Sequence, residues 1–366
     1  MKFTCSQKKL SNSISIVQKA ISPRSTLPIL EGIFVKAYKG ILKLIGNDLD
    51  LGIESVLEAN IEEEGAIVIS SRIFGDIIRK LPECEVEVKV SDNYLVTITA
   101  LNSQFQIQGV KPDDYPDLKE VKEYEPVEIE QSLLKEMIQN TIFAVATDET
   151  RPVLTGGLVE IHNEDINIVC LDGYSLALKK GKIDSNTEVD VIIPGKTLNE
   201  ISRIVDNSDE KINITIDDKH VLFDMGYTRI ISRLLSGEFI NYSQIIPQNY
   251  KTRVKIDAKS LYDSIERVSI LAREGRNNLI KLNIKEDRLI IDSNSEIGTA
   301  HEELPIVMEG KELLIAFNSR YFMDILKGIG NEEVYIDFTT NISPCVFRPI
   351  EGDNFTYLLL PVRINA

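Results

Sequence analysis

Paired carboxylates, thiols and imidazoles are the side chains best suited to catalysis, and this chain places few of them together. Asn47-Asp48-Leu49-Asp50 puts two carboxylates within reach of a divalent metal, as a metal-dependent nuclease would. The same residues follow the strand-like run Ile41-Leu42-Lys43-Leu44-Ile45, where Asn and Asp make a polar turn. Asp172 stands at the equivalent strand end later in the chain, so a shared turn explains both better than a unique active site. Asp113-Asp114 and Asp217-Asp218 read as turn residues for the same reason. Cys5, Cys84, Cys170 and Cys345 form no C-x-x-C pair, and three sit in strand-like runs, as small buried hydrophobes in a reducing compartment do. His162, His220 and His301 are too far apart in sequence for a His-based metal site. The phosphate loops G-x-x-x-x-G-K-[ST] and G-x-G-x-x-G are missing, as are G-x-S-x-G and H-E-x-x-H. The expectation is a chain with no catalytic residues, no metal and no cofactor.

Positive charge is the chemistry that recurs. Arg72 and Arg79 are seven residues apart, and so are Lys196 and Arg203, and Arg320 and Lys327. On a helix, at about 100° per residue, each pair shares one face. Phe74, Ile77, Ile78 and Leu81 point the opposite way, so two cations face outward from a helix whose back enters the core. Asp76, Glu200 and Asp324 lie four residues after the first cation of each pair, which permits local ion pairs and a merely solvated face. The identical placement on three helices of an acidic protein favours a surface for a polyphosphate backbone. Contacts of that kind carry no sequence information.

The elements that position these cations form a threefold repeat. The helix-like segments begin at Ser71, Gly195 and Ser319, in steps of 124 residues. Phe74, Leu198 and Phe322 correspond, as do Ile77, Ile201 and Ile325, and Leu81, Val205 and Ile329. A second helix opens each unit, with stripes at Leu10, Ile14, Val17 and Ile21, at Leu134, Ile138, Thr141 and Val145, and at Leu261, Ile265, Val268 and Ala272. Alternating strands recur at Val86, Val88 and Val90, at Ile212, Ile214 and Ile216, and at Val334, Ile336 and Phe338. The reading is an α+β protein of three domains, residues 1–122, 123–250 and 251–366, each with two helices and antiparallel sheets. Net charge of −16 disfavours sequence-independent nucleic-acid binding by the surface as a whole and leaves room for a local basic strip. With no apolar signal region after Met1 and no run near the ~20 residues a membrane span needs, a cytosolic protein is expected.

On these features the sequence resembles the bacterial DNA polymerase sliding clamps, the β processivity subunits of DNA polymerase III. The resemblance spans the chain. It rests on Arg24-Ser25-Thr26-Leu27-Pro28-Ile29-Leu30, Ala146-Thr147-Asp148-Glu149-Thr150-Arg151 and Asp172-Gly173-Tyr174-Ser175-Leu176-Ala177, then Phe317-Asn318-Ser319-Arg320-Tyr321 and Leu360-Pro361-Val362-Arg363. The resemblance implies a head-to-tail homodimer, a ring of six similar units around double-stranded DNA, near the nucleoid in the cytoplasm. It adds Arg24 to the six DNA-facing cations and pairs Phe105 and Ile107 of one chain with Ile270 and Leu271 of the other. It also implies a groove for short linear motifs of the replicative polymerase, the clamp loader and repair proteins. Carried over by position, that groove contains Arg151, Leu154, Leu171, Gly173, Tyr174 and Leu176 from one stretch. Ile240, Ile245, Asn318 and Tyr321 follow, with Leu358, Leu360, Pro361, Val362 and Arg363 at the end of the chain. Ile240 departs from a proline and Leu171 from a small polar residue of some relatives, which makes the groove more apolar. Relatives also touch DNA with a loop near Asp148 to Val153, where aromatic residues of some members are Pro152 and Val153 here. The terminal run Leu358-Leu359-Leu360-Pro361-Val362 is expected to pack one face and line a pocket with the other. A monomeric repeat scaffold that binds proteins without encircling DNA is the alternative, separable by size in solution.

Overall fold

The computed structural model describes every residue except 23, 24, 26, 122, 123 and 364–366. The described residues form six α-helices: α1 (Gln7–Val17), α2 (Ser71–Lys80), α3 (Gln131–Gln139), α4 (Gly195–Ile204), α5 (Ala258–Ala272) and α6 (Ser319–Ile329). The starts of α2, α4 and α6 keep the 124-residue step, and each helix follows directly on a strand: Gly65–Ser70, Glu188–Pro194 and Leu313–Asn318. α1, α3 and α5 likewise follow Lys2–Ser6, Val127–Glu130 and Thr252–Asp257.

By packing, the chain divides into two compact units. The first holds Met1–Gln131 with Ser208–Leu234, and the second holds Ser132–Asn207 with the chain from Leu235 on. The division passes through the central repeat because its strands join two sheets. In the first unit an eight-stranded sheet continues from the first repeat into the central one, where Thr228–Arg233 pairs with Leu51–Glu58. A five-stranded sheet beside it ends on the edge strand Ser103–Gln108. In the second unit a nine-stranded sheet joins the central and third repeats through Ser175–Lys182 and Phe355–Leu359. A four-stranded sheet there has Gly298–Pro305 at one edge. These joining pairs are antiparallel.

Helix packing follows the apolar stripes. α1 buries Leu10, Ile14 and Val17, and α2 buries Phe74 and Ile78. Each side chain buried this completely contributes roughly 1.5–3 kcal/mol. Two glutamines tie these helices: Gln7 Nε2 donates to Ile78 O at 2.7 Å, and Gln18 Nε2 donates to Ser71 O at 2.8 Å. Gly75 admits that second glutamine, since a Cβ there would stand 2.4 Å from Gln18 Nε2. α5 buries its whole stripe, Leu261, Ile265, Val268 and Ala272. Asp257 caps it by accepting from Ser260 N at 2.7 Å, and Asn318 caps α6 by accepting from Arg320 N at 2.9 Å.

Two helices are shorter than their stripes. α1 ends at Val17 and continues as a 3-10 turn over Gln18–Ala20, leaving Ile21 extended. α3 ends at Gln139. Thr141 Oγ1 donates to Met137 O at 2.8 Å, a side-chain bond that competes with helix continuation, and Val145 lies beyond a further 3-10 turn.

Candidate functional sites

The six cations expected to share helix faces are all exposed: Arg72 and Arg79 on α2, Lys196 and Arg203 on α4, Arg320 and Lys327 on α6. Arg24 lies outside the described residues. Phe74, Ile78, Leu198, Ile201, Phe322, Ile325 and Leu326 are buried on the opposite faces, whereas Ile77 is half-buried. On each helix an ion pair forms at i, i+3 spacing. Asp76, Glu200 and Asp324 bridge to the second cation, three residues on: Arg79 at 3.2 Å, Arg203 at 3.2 Å and Lys327 at 3.8 Å. On α6, burial pushes the Asp324 carboxyl up, against the pull of Lys327 and Arg320. The field of each helix is thus partly cancelled, in the same way three times.

The carboxylate pair reads as a turn. Asp48 Oδ1 accepts from Leu51 N at 2.8 Å. Asp172 Oδ1 does the same with Tyr174 N at 2.8 Å and Ser175 N at 2.7 Å, and Asp217 Oδ1 with Lys219 N and His220 N at 2.8 and 2.7 Å. Among the described residues no group of three or more His, Cys, Asp or Glu is arranged to hold a metal ion. Cys5, Cys170 and Cys345 are buried, and burial pushes the Cys5 and Cys170 thiols up to about 12, which leaves them unreactive near neutral pH.

In the second unit an apolar cluster gathers Leu154, Leu171, Leu176 and Leu358 with Leu158, Val169, Leu178 and Ile192. Leu176 and Leu358 face each other across the pair Ser175–Lys182 and Phe355–Leu359. Ile240 packs against this cluster, as do Phe239, Tyr242 and Ile246, which sequence reasoning missed. Their i, i+3, i+7 spacing is the signal that marks them. Ile245 is 40% exposed. Beside the cluster, the turn at Gly173 (φ +91°) carries Tyr174, 59% exposed and stacked on Tyr321 of α6 at 5.6 Å. The terminal segment is tied down: Leu360 N donates to Tyr174 O at 2.9 Å and Val362 N to Ala316 O at 2.8 Å. Arg151 and Arg363 are exposed, and Pro361 and Val362 half-buried. In Phe355–Leu359, Leu358 enters the apolar cluster while Tyr357 packs against Phe143 and Phe355. This is an interior strand with both faces buried, and the exposed part of the run begins at Leu360.

The two apolar pairs expected at an interface are surface features. In the first unit Phe105 is 40% exposed and Ile107 half-buried, on the edge strand Ser103–Gln108. In the second, Ile270 is 65% exposed and Leu271 half-buried, at the end of α5. The residues from Asp148 to Val153 include a turn in which Asp148 Oδ1 accepts from Thr150 N at 2.9 Å, and Pro152 opens the short 3-10 helix that carries Leu154.

Comparison with known proteins matches three stretches. Residues 1–119 match the DNA polymerase III beta subunit N-terminal domain, 128–241 the central domain, and 243–363 the C-terminal domain. The beta sliding clamp of Staphylococcus epidermidis is 39% identical over 374 residues, covering 99% of both chains. That of Bacillus subtilis is 38% identical over 376 residues, covering 99% of this chain and all of its own. Among solved structures, the DNA polymerase sliding clamp from B. subtilis superposes with a TM-score of 0.96 at 37% identity, with both chains fully covered. A sliding clamp from Pseudomonas aeruginosa bound to griselimycin gives 0.93 at 26% identity, again with full coverage of both.

Proposed function

The chain belongs to the DNA polymerase III beta subunit family, the beta sliding clamps, and from that premise we propose that it is a DNA sliding clamp. Two copies join head to tail into a closed ring around duplex DNA. The observation that carries this reading is the threefold exposed cation pair, on helices spaced 124 residues apart, in a protein of net charge −16. A clamp has to retain DNA without gripping it. Ring closure supplies retention through topology, so the cations need only screen the phosphates. The acid beside the second cation of each helix weakens the grip further. An acidic exterior discourages DNA contact outside the hole.

The three domains correspond to residues 1–122, 123–250 and 251–366. Closure takes place between Phe105 and Ile107 of one copy and Ile270 and Leu271 of the other. Edge strands Ser103–Gln108 and Gly298–Pro305 carry unpaired backbone groups, which suit strand addition between copies. The chain works without catalysis of its own, as a processivity subunit in the cytoplasm. It tethers the replicative polymerase, the clamp loader and repair proteins, whose apolar anchors sit over Leu154, Leu171, Leu176, Leu358 and Ile240, beside Tyr174, Tyr321 and the segment Leu360–Arg363. The turn residues Asp148 to Val153 complete the DNA-facing surface.

Size in solution tests the assembly. Light scattering at micromolar concentration is expected to give about 82 kDa, twice the chain mass of 41.2 kDa. Ile270→Asp should shift the mass toward one chain, because it places a charge in an apolar contact. A native protein that stays at 41.2 kDa at every concentration contradicts the ring.

A further inference from the structure

Next to the apolar cluster lies a cleft of ≈ 420 Å³ that the groove residues do not account for. Leu158, Ile192, Phe239 and Ile240 line it, and all four belong to the cluster or pack against it, so the two surfaces are continuous at Ile240. Its polar lining is one-sided. Glu160, Asp190 and Glu238 contribute carboxylates, and among the described lining residues there is no Lys or Arg. Glu160 is held in place by neutral donors, Tyr242 Oη at 2.6 Å and Asn167 Nδ2 at 3.3 Å, which fix its direction without cancelling its charge. Asp190 meets His162 Nε2 at 2.8 Å, and that imidazole is charged only when protonated. An apolar floor with an acidic wall is complementary to an aliphatic stem that ends in a cation.

We propose that the peptide groove continues past Ile240 into this acidic-walled cleft, which takes a Lys or Arg flanking the apolar anchors of a partner's linear motif. The partner class is therefore a short peptide with an apolar core and a basic neighbour. The inference rests on the groove reading above and adds a specificity to it. The apolar anchor supplies most of the affinity, and the cleft ranks partners that share that anchor.

The test uses the full-length protein and fluorescent peptides of the Gln-Leu-x-Leu-Phe type, extended at either end by two Lys or two Glu, with an unextended control. Polarisation should show the unextended peptide binding, and the better-placed Lys extension binding roughly fivefold or more tighter than its Glu counterpart, the size expected of a partly screened ion pair. The preference should shrink in high salt. In the triple variant Glu160→Gln, Asp190→Asn, Glu238→Gln, the unextended peptide should bind as before and the preference should vanish. Equal binding of Lys and Glu extensions to the native protein overturns the cleft and leaves the groove standing. A preference that survives in the triple variant belongs to the overall charge of the chain and also overturns it. If the unextended peptide fails to bind, the groove reading falls and this inference falls with it.

Discussion

At Arg253 a guanidinium is clamped between two phenol rings, 4.0 Å from the Tyr250 ring centre and 4.6 Å from that of Tyr335. Its Nε and Nη2 donate to Asp337 Oδ1 and Oδ2 at 2.6 and 2.8 Å, and Asp337 is 7% exposed. Removing the guanidinium leaves that carboxylate to Arg348, 3.5 Å away. Arg253→Ala is expected to cost about 2–3 kcal/mol in denaturant unfolding, since a buried charge loses its bidentate partner. Arg253→Lys should recover part of this, because an ammonium keeps the charge without the fork or the stacking. A loss within error for Arg253→Ala would refute the clamp. Nothing in the sequence marks Arg253, whose carboxylate partner Asp337 stands 84 residues away and meets it through strand pairing. The Asp48, Asp172 and Asp217 turns were legible because an Asx turn is a local device whose donors lie two or three residues on.

Helices α2, α4 and α6 were legible to within a residue or two because each begins at a strand end and its apolar spacing is unbroken. The ends of α1 and α3 were not, since a 3-10 turn and the Thr141 hydroxyl stop them inside a continuing stripe. The cation faces were legible from spacing alone. The choice of ion-pair partner was not, because both i+3 and i+4 neighbours fit a helix, and a pair with the later cation forms on all three. That choice has a consequence for sliding. Replacing the acids, as Asp76→Asn, Glu200→Gln and Asp324→Asn together, releases three cations toward the DNA. Affinity for a short linear duplex should rise, and the plot of log K against log salt should steepen by roughly one to three units, at about 0.9 for each further phosphate neutralised. The opposite variant, with Arg72, Arg79, Lys196, Arg203, Arg320 and Lys327 all changed to Ser, should flatten that plot. Identical slopes in all three proteins would rule these faces out as the DNA surface.

The largest-scale feature is that the sheets ignore the repeat boundaries. Thr228–Arg233 pairs with Leu51–Glu58, and Ser175–Lys182 with Phe355–Leu359, so neighbouring repeats share backbone hydrogen bonds. Alternation in the sequence announced strands without naming their partners, which tertiary context selects. The interior position of Phe355–Leu359 was hidden for that reason, and with it the burial of both its faces. Free edges at Ser103–Gln108 and Gly298–Pro305, one in each unit, are where a second copy would complete the ring. In a closed ring, retention on DNA depends on topology more than on charge. The most direct measurement loads the protein on nicked circular DNA with a clamp loader, then cuts the circle once and follows bound protein by gel filtration at moderate salt. The account predicts that the protein stays on the circle and is lost within minutes of linearisation. Retention that is the same on circle and linear DNA would contradict it.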